Sequence, residues 1–257
     1  MANRRTKNRK LLSTGAAAVQ PAYSGLSVTA RRIPTRWVKA VAGLFLLPVA
    51  GIWTQTFFSC IGRETLAHGF WATEEFWFFT LGAILWTIAF FGLPRPVLIY
   101  VFGHELTHAI WVWLMGGRVS QFKVASDGGH IVTDRHNFLI ALAPYFYPIY
   151  SILLVMIYGF ASMAWDLSPY HRWFFALLGG TWAFHISFTL WMIPKGQTDL
   201  SYHGTFFSLV VIYLMNLLVL TVLLVIASPH VTFQGFGRDL IENTIAFSLW
   251  MREVIQG

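Results

Sequence analysis

One apolar segment carries three ionisable side chains, and it constrains the chain more than any other stretch. Residues 101–114 read VFGHELTHAIWVWL, in which His104, Glu105 and His108 stand among aromatic and aliphatic residues. The surrounding apolar run, about residues 97–116, has the roughly 20-residue length of a transmembrane helix. Because ionisable groups are costly to place in hydrocarbon, their presence there predicts a functional site.

The composition excludes an ordinary soluble domain. Of the 257 residues, 56% are hydrophobic and only 11% are charged, whereas soluble domains carry about a quarter charged residues. We therefore expect an integral, multi-pass membrane protein, in the plasma membrane of a prokaryote or alternatively in an organelle membrane. The single cysteine, Cys60, excludes an internal disulfide.

The positive charge is concentrated at the start of the chain. The formal net charge is +7, and every charged residue before Glu64 is basic. A nucleic-acid partner is one interpretation, but a basic segment flanking a first span is typical of membrane proteins. We therefore predict the lipid bilayer as a partner and no nucleic acid.

Hydropathy predicts a domain organisation with six spans and two polar ends. Residues 1–37 form a basic, disordered tail, 38–228 the membrane domain, and 229–257 a polar tail whose residues 239–254 have the periodicity of an interfacial helix. The predicted spans are 38–59, 76–93, 97–116, 138–161, 173–193 and 205–228. The predicted fold class is an all-α polytopic membrane protein with about six transmembrane helices and a small β-hairpin.

The hairpin prediction comes from the connection that follows the histidine-bearing segment. Residues 118–136 contain two partly alternating stretches rich in β-branched residues, separated by Asp127, Gly128 and Gly129. Such a separation is a strong hairpin pattern. An ordinary polar loop is the alternative.

The spacing of the three ionisable residues predicts a metal site. His104 and His108 are four residues apart, so on a helix they project from one face, as two imidazoles must to chelate one zinc ion. Glu105 lies about 100° away on the helical wheel, where it can act as a general base toward a zinc-activated water. A histidine pair bonded to neighbouring helices is the structural alternative.

The order of motifs resembles the site-2 protease family of intramembrane zinc metalloproteases, which are of the HExxH type. The resemblance covers about residues 97–216 and rests on H-E-x-x-H, the Gly-Gly turn of residues 115–119, a second Gly-Gly in the strand-like segment, and a helix that begins near Asn137 and contains Pro144. It implies hydrolysis of peptide bonds in membrane-embedded or juxtamembrane protein substrates, with Zn²⁺ as cofactor. It also implies that a strand beside the zinc pairs with the substrate.

The third zinc ligand has two candidates. The family uses an aspartate in a short Leu-Asp-Gly motif; the nearest match is IPKGQTDLSYHG at residues 193–204, where Asp199 precedes Gly204. His185 lies midway along the fifth predicted span and is the alternative third ligand, or a hydrogen-bonding group behind the site. The alternative function is a non-proteolytic membrane protein that uses the metal site structurally or binds partner helices.

Overall fold

The computed structural model describes residues 35–125, 127–228 and 230–257, so most of the predicted basic tail lies outside the described residues. The described residues form nine α-helices and one small antiparallel sheet of two strands. In chain order they are α1 (Thr35–His68), α2 (Glu74–Gly92), α3 (Val97–Leu114), β1 (Val119–Ala125), β2 (Gly128–Thr133), α4 (Phe138–Leu142), α5 (Ile149–Ser162), α6 (His171–Met192), α7 (Thr198–His203), α8 (Thr205–Ala227) and α9 (Phe233–Gln256).

The helical class and the small sheet are confirmed. Among the described residues, five helices are long and apolar enough to cross a membrane, namely α1, α2, α3, α6 (with the short turns at its ends) and α8. The bent pair of α4 and α5 makes a sixth if it counts as one span. These lengths and compositions are those of a multi-pass membrane protein.

The span predicted over 138–161 is a bent pair of helices rather than one straight helix. The structure breaks this segment into α4, a 3₁₀ turn at Ala143–Tyr145 and α5, with a bend of 78° between the two halves. Pro144 lies in the turn and Pro148 precedes α5. Proline lacks the amide hydrogen that continues a helix and restricts the residue before it, so two prolines four positions apart end one helix and begin another.

The predicted hairpin forms and folds back against α3. β1 and β2 pair antiparallel, with Phe122 opposite Ile131 and an irregularity between Val119 and Gln121. Ile131 is 1% exposed and packs with Val112 of α3 and Ile140 of α4. The inner face of β2 is thereby fixed on the helix that carries the two histidines.

Two helix pairs flank α3. In one, α2 and α6 approach so closely that a Cβ on Gly82 would lie 1.8 Å from the Ala176 carbonyl oxygen. In the other, α1 packs on α8, where the Trp53 indole donates a 3.0 Å hydrogen bond to Thr221. Glycine at the first contact lets two backbones meet, as in many membrane helix pairs.

The C-terminal tail is helical, as predicted, and α9 packs against α1. Arg63 of α1 forms an ion pair with Asp239, and the Asn243 amide donates a 2.8 Å hydrogen bond to Thr56. Phe236 is buried, while Ile241 and Ile245 are exposed. A position of α9 at the membrane interface remains a prediction.

Candidate metal centre

Three side chains from two helices converge on one point. His104 and His108 project from α3, and Asp199 projects from α7, with ligand atoms that all lie within 4.8 Å of one another. The Nε2 atoms of both histidines are 3.6 Å from the same atom, Asp199 Oδ2. The four-residue spacing on α3 therefore does bring the two imidazoles to one site.

The carbonyl group of Ile140 orients His108. The Nδ1 atom of His108 lies 2.8 Å from the Ile140 oxygen, and a carbonyl can only accept, so Nδ1 carries the proton. The lone pair of Nε2 is then left to face Asp199. The Asn137 side chain caps α4 by accepting from the Ile140 amide at 2.9 Å, which fixes the turn that presents this carbonyl.

The hydroxyl group of Tyr100 orients His104 in the same manner. It lies one turn earlier on α3 and 3.1 Å from Nδ1 of His104. The ring of Tyr100 stacks on Phe188 of α6, with centroids 4.6 Å apart and an angle of 7° between the planes. Hydrogen bonds to the far nitrogen of a ligating histidine are a common feature of metal sites, because they fix the orientation of the ring.

Asp199 reaches the site on the short helix α7. Glycines with positive φ flank this helix, Gly196 at 76° and Gly204 at 90°, and only glycine adopts such values at little cost. The Tyr145 hydroxyl donates to Asp199 Oδ2 at 3.4 Å. Tyr145 is itself fully buried, and its carbonyl accepts a 2.9 Å hydrogen bond from Asn216 of α8.

The donor set and its dimensions fit a transition-metal ion. Two imidazole nitrogens and one carboxylate oxygen are ligands that zinc accepts. With bonds of about 2.0–2.1 Å, the edge of a tetrahedral zinc site is about 3.3 Å long, close to the 3.6 Å between each Nε2 and the carboxylate oxygen. His104, His108 and Asp199 could therefore hold a metal ion and leave a fourth position open.

Glu105 lies beside this triad and is not part of it. It is 6% exposed, and the hairpin covers it: a Cβ on Gly129 would lie 2.6 Å from the Glu105 Cγ atom. The second Gly-Gly of the sequence thus has a structural reason, since any side chain at Gly129 would displace the carboxylate. Among the described residues, no lysine or arginine pairs with Glu105.

His185 lies near the triad but outside it. It is on α6, its Nε2 atom is buried without a hydrogen-bond partner, and it lines a small cavity of about 20 Å³ next to His104. The group of ligand atoms within 4.8 Å contains Asp199 and not His185. Of the two candidates for the third ligand, the described geometry brings only Asp199 to the two histidines.

Two tyrosines of the site, Tyr100 and Tyr145, were not predicted from the sequence. Tyr100 could have been found, because it stands four residues before His104 and so shares its helix face. Tyr145 offered no comparable pattern, because it reaches Asp199 only through the break between α4 and α5.

The site thus has two oriented imidazoles, one carboxylate ligand and a separate buried carboxylate, each positioned by a different part of the fold. Three of these groups come from α3, which also packs against the hairpin. No protein-family model matches the chain, and neither a curated protein nor a solved structure matches it.

Proposed function

We propose that the protein is an intramembrane zinc metalloprotease that hydrolyses peptide bonds of membrane-embedded or juxtamembrane substrates. The observation that carries the proposal is that Asp199 meets His104 and His108, which lie on a helix of membrane-spanning length. The buried Glu105 lies beside them on the same helix. His104, His108 and Asp199 would hold a zinc ion, and this ion would supply Lewis acidity toward the scissile carbonyl and a water molecule.

The residues of the chain supply the remaining functions. The Glu105 carboxylate accepts a proton from the attacking water and passes it to the nitrogen of the leaving amine. Ile140 and Tyr100 keep the metal-facing nitrogens of His108 and His104 in place. Buried apolar neighbours, such as Val112 and Phe188, exclude bulk water from the site and so strengthen its electrostatic interactions.

The hairpin provides a place for an extended substrate. Within the described residues β1 pairs only with β2, so its second edge has no strand partner. Residues 120–123 of this strand are exposed, and Phe122 is 42% exposed. A polypeptide must leave the helical conformation before its peptide bond can be attacked, and addition to a free strand edge holds it extended.

The general-base role is tested by replacing Glu105 with glutamine. Glu105→Gln should retain zinc and lose proteolysis of a membrane-protein substrate by about 10²–10⁴-fold, the usual contribution of a general base. Glu75→Gln, at a partly exposed glutamate on α2, serves as the matched control and should be as active as the wild type. An active Glu105→Gln protein rules out this mechanism, and a wild type that holds zinc but never cleaves supports the structural-metal alternative.

The substrate role of the strand is tested with proline. Phe122→Pro removes a backbone donor from β1, and we expect it to abolish cleavage while the zinc content, measured by elemental analysis, stays unchanged. Proline at Ser248 on α9, far along the chain from the site, is the comparison for a general loss of fold. Undiminished cleavage by Phe122→Pro would count against pairing at this edge.

A further inference from the structure

A cluster of basic side chains lies close to the metal triad but takes no part in it. Lys39 of α1, His136 of the β2–α4 connection and His203 of α7 form this basic cluster. The rings of the two histidines stack with centroids 5.5 Å apart and 13° between their planes. The Lys39 ammonium group lies 2.5 Å from Nδ1 of His203. Three separate segments of the chain thus bring nitrogen atoms to one place.

The contact with Lys39 fixes which nitrogen of His203 carries a proton. An ammonium group can only donate, so Nδ1 accepts and the proton of the neutral ring is on Nε2. Burial, followed by the charge of Lys39, lowers the pKa of His203 to about 4, so that the ring is neutral at pH 7. His203 is 4% exposed, and its Nε2 approaches the Asn137 carbonyl without the geometry of a hydrogen bond.

In the described part of the chain, neither the Lys39 ammonium group nor the Nε2–H of His203 has an oxygen acceptor with hydrogen-bond geometry. Nδ1 of His136, like Nε2 of His203, is buried without a partner. In the described part of the chain no carboxylate lies within ion-pair distance of Lys39. Asp199, one turn before His203 on α7, directs its carboxylate to His104 and His108 instead. Because donors without an acceptor are destabilising, we expect an oxygen ligand from outside the chain to bind the cluster.

The position of the cluster indicates where that ligand comes from. Lys39 is the third residue of the first candidate span, Trp37–Ala67, and Trp37 is 72% exposed. Tyr202, 57% exposed, packs edge-on against the rings of His136 and His203 at 5.0 and 4.9 Å. Tryptophan and tyrosine are enriched where membrane helices meet the lipid headgroups, as are lysine and arginine next to anionic lipids.

We propose that the basic cluster binds the phosphate group of an anionic phospholipid. Lys39 contributes its charge and its two remaining N–H donors, and His203 holds the ammonium group in position by accepting at Nδ1. Such charge-assisted hydrogen bonds to phosphate are among the stronger ones in proteins. The proposal does not depend on proteolysis, because it concerns groups that are not metal ligands and predicts lipid binding in the absence of any substrate.

The test measures binding of a soluble lipid to the full chain in detergent. Native mass spectrometry with dioctanoyl phosphatidylglycerol should show one saturable site, with clear preference over dioctanoyl phosphatidylcholine. Lys39→Gln and His203→Gln should each weaken this binding about tenfold, the change that the loss of one charge-assisted hydrogen bond produces. Arg95→Gln is the matched control, since Arg95 lies over aromatic rings elsewhere, and it should bind as the wild type does.

Each alternative outcome overturns the proposal. If both cluster variants melt at the wild-type temperature and bind the lipid with wild-type affinity, the site is elsewhere. If phosphatidylcholine binds equally well, the cluster does not recognise anionic lipid. If millimolar inorganic phosphate displaces the lipid completely, the ligand is a free anion rather than a membrane component.

Discussion

Helices α2 and α3 are nearly equal in length and both are apolar, yet the fold treats them in opposite ways. In α3, 44% of the most apolar 18-residue stretch is buried inside the protein, whereas in α2 the buried share of the corresponding stretch is 11%. The helix with His104, Glu105 and His108 is surrounded by the hairpin, α4 and α5, while α2 packs on α6 and leaves its other side open. The comparison teaches that ionisable residues in an apolar helix mark the helix that other elements enclose.

The two helices also differ in what their glycine contacts accomplish. At α3, Gly129 of the hairpin leaves room for the Glu105 side chain. At α2, Gly82 lets the backbones of α2 and α6 meet. Substitutions at Gly129 should mainly lower the activity. Substitutions at Gly82 should mainly lower the stability of the fold.

The largest effect is expected at the enclosed helix. In Gly129→Ala the new methyl group meets Glu105 Cγ at 2.6 Å and the Lys123 carbonyl oxygen at 2.9 Å. A displacement of this size at a catalytic group costs about 10²-fold in rate, so proteolysis should fall by that factor while zinc content stays unchanged. Gly159→Ala, where a Cβ meets nothing within 4 Å, should leave activity intact. Loss of zinc in Gly129→Ala would mean that the hairpin shapes the metal triad as well.

A smaller effect, on stability alone, is expected at the open helix. In Gly82→Ala the Cβ would lie 1.8 Å from the Ala176 oxygen, so α2 and α6 must move apart. Overpacking of this kind costs about 1–3 kcal/mol, which should lower the melting temperature in detergent. Gly92→Ala, at the unobstructed end of α2, is the matched control and should melt no lower than the wild type. Equal melting of both variants would show that the contact at Gly82 does not hold the pair.

Much of this fold can be predicted from the sequence, because the sequence patterns that determine it are local. The hairpin follows from β-branched residues around Asp127, Gly128 and Gly129, and the two histidines on one face of α3 follow from their spacing alone. Helices of spanning length follow from apolar runs, which need no knowledge of neighbours.

Two features were not predicted: the helix break, which prolines cause within an apolar run, and the third ligand, which depends on distant contacts. The break at Pro144 and Pro148 lies in a run that is apolar throughout, so hydropathy gave no reason to divide it. The choice between Asp199 and His185 was open because both can ligate zinc and neither shares a helix with His104. Only the packing of α7 against α4 and α8 brings the Asp199 carboxylate to the histidines.

The central claim is that His104, His108 and Asp199 together hold a zinc ion, and X-ray absorption at the zinc edge tests it most directly. For the wild-type protein in detergent we predict two imidazole nitrogens and a carboxylate oxygen at about 2.0–2.1 Å. His185→Ala should give the same spectrum, and Asp199→Ala should lose the metal or the carboxylate contribution. Three imidazoles in the wild type, with one of them lost in His185→Ala, would contradict the claim, as would a protein that binds no zinc.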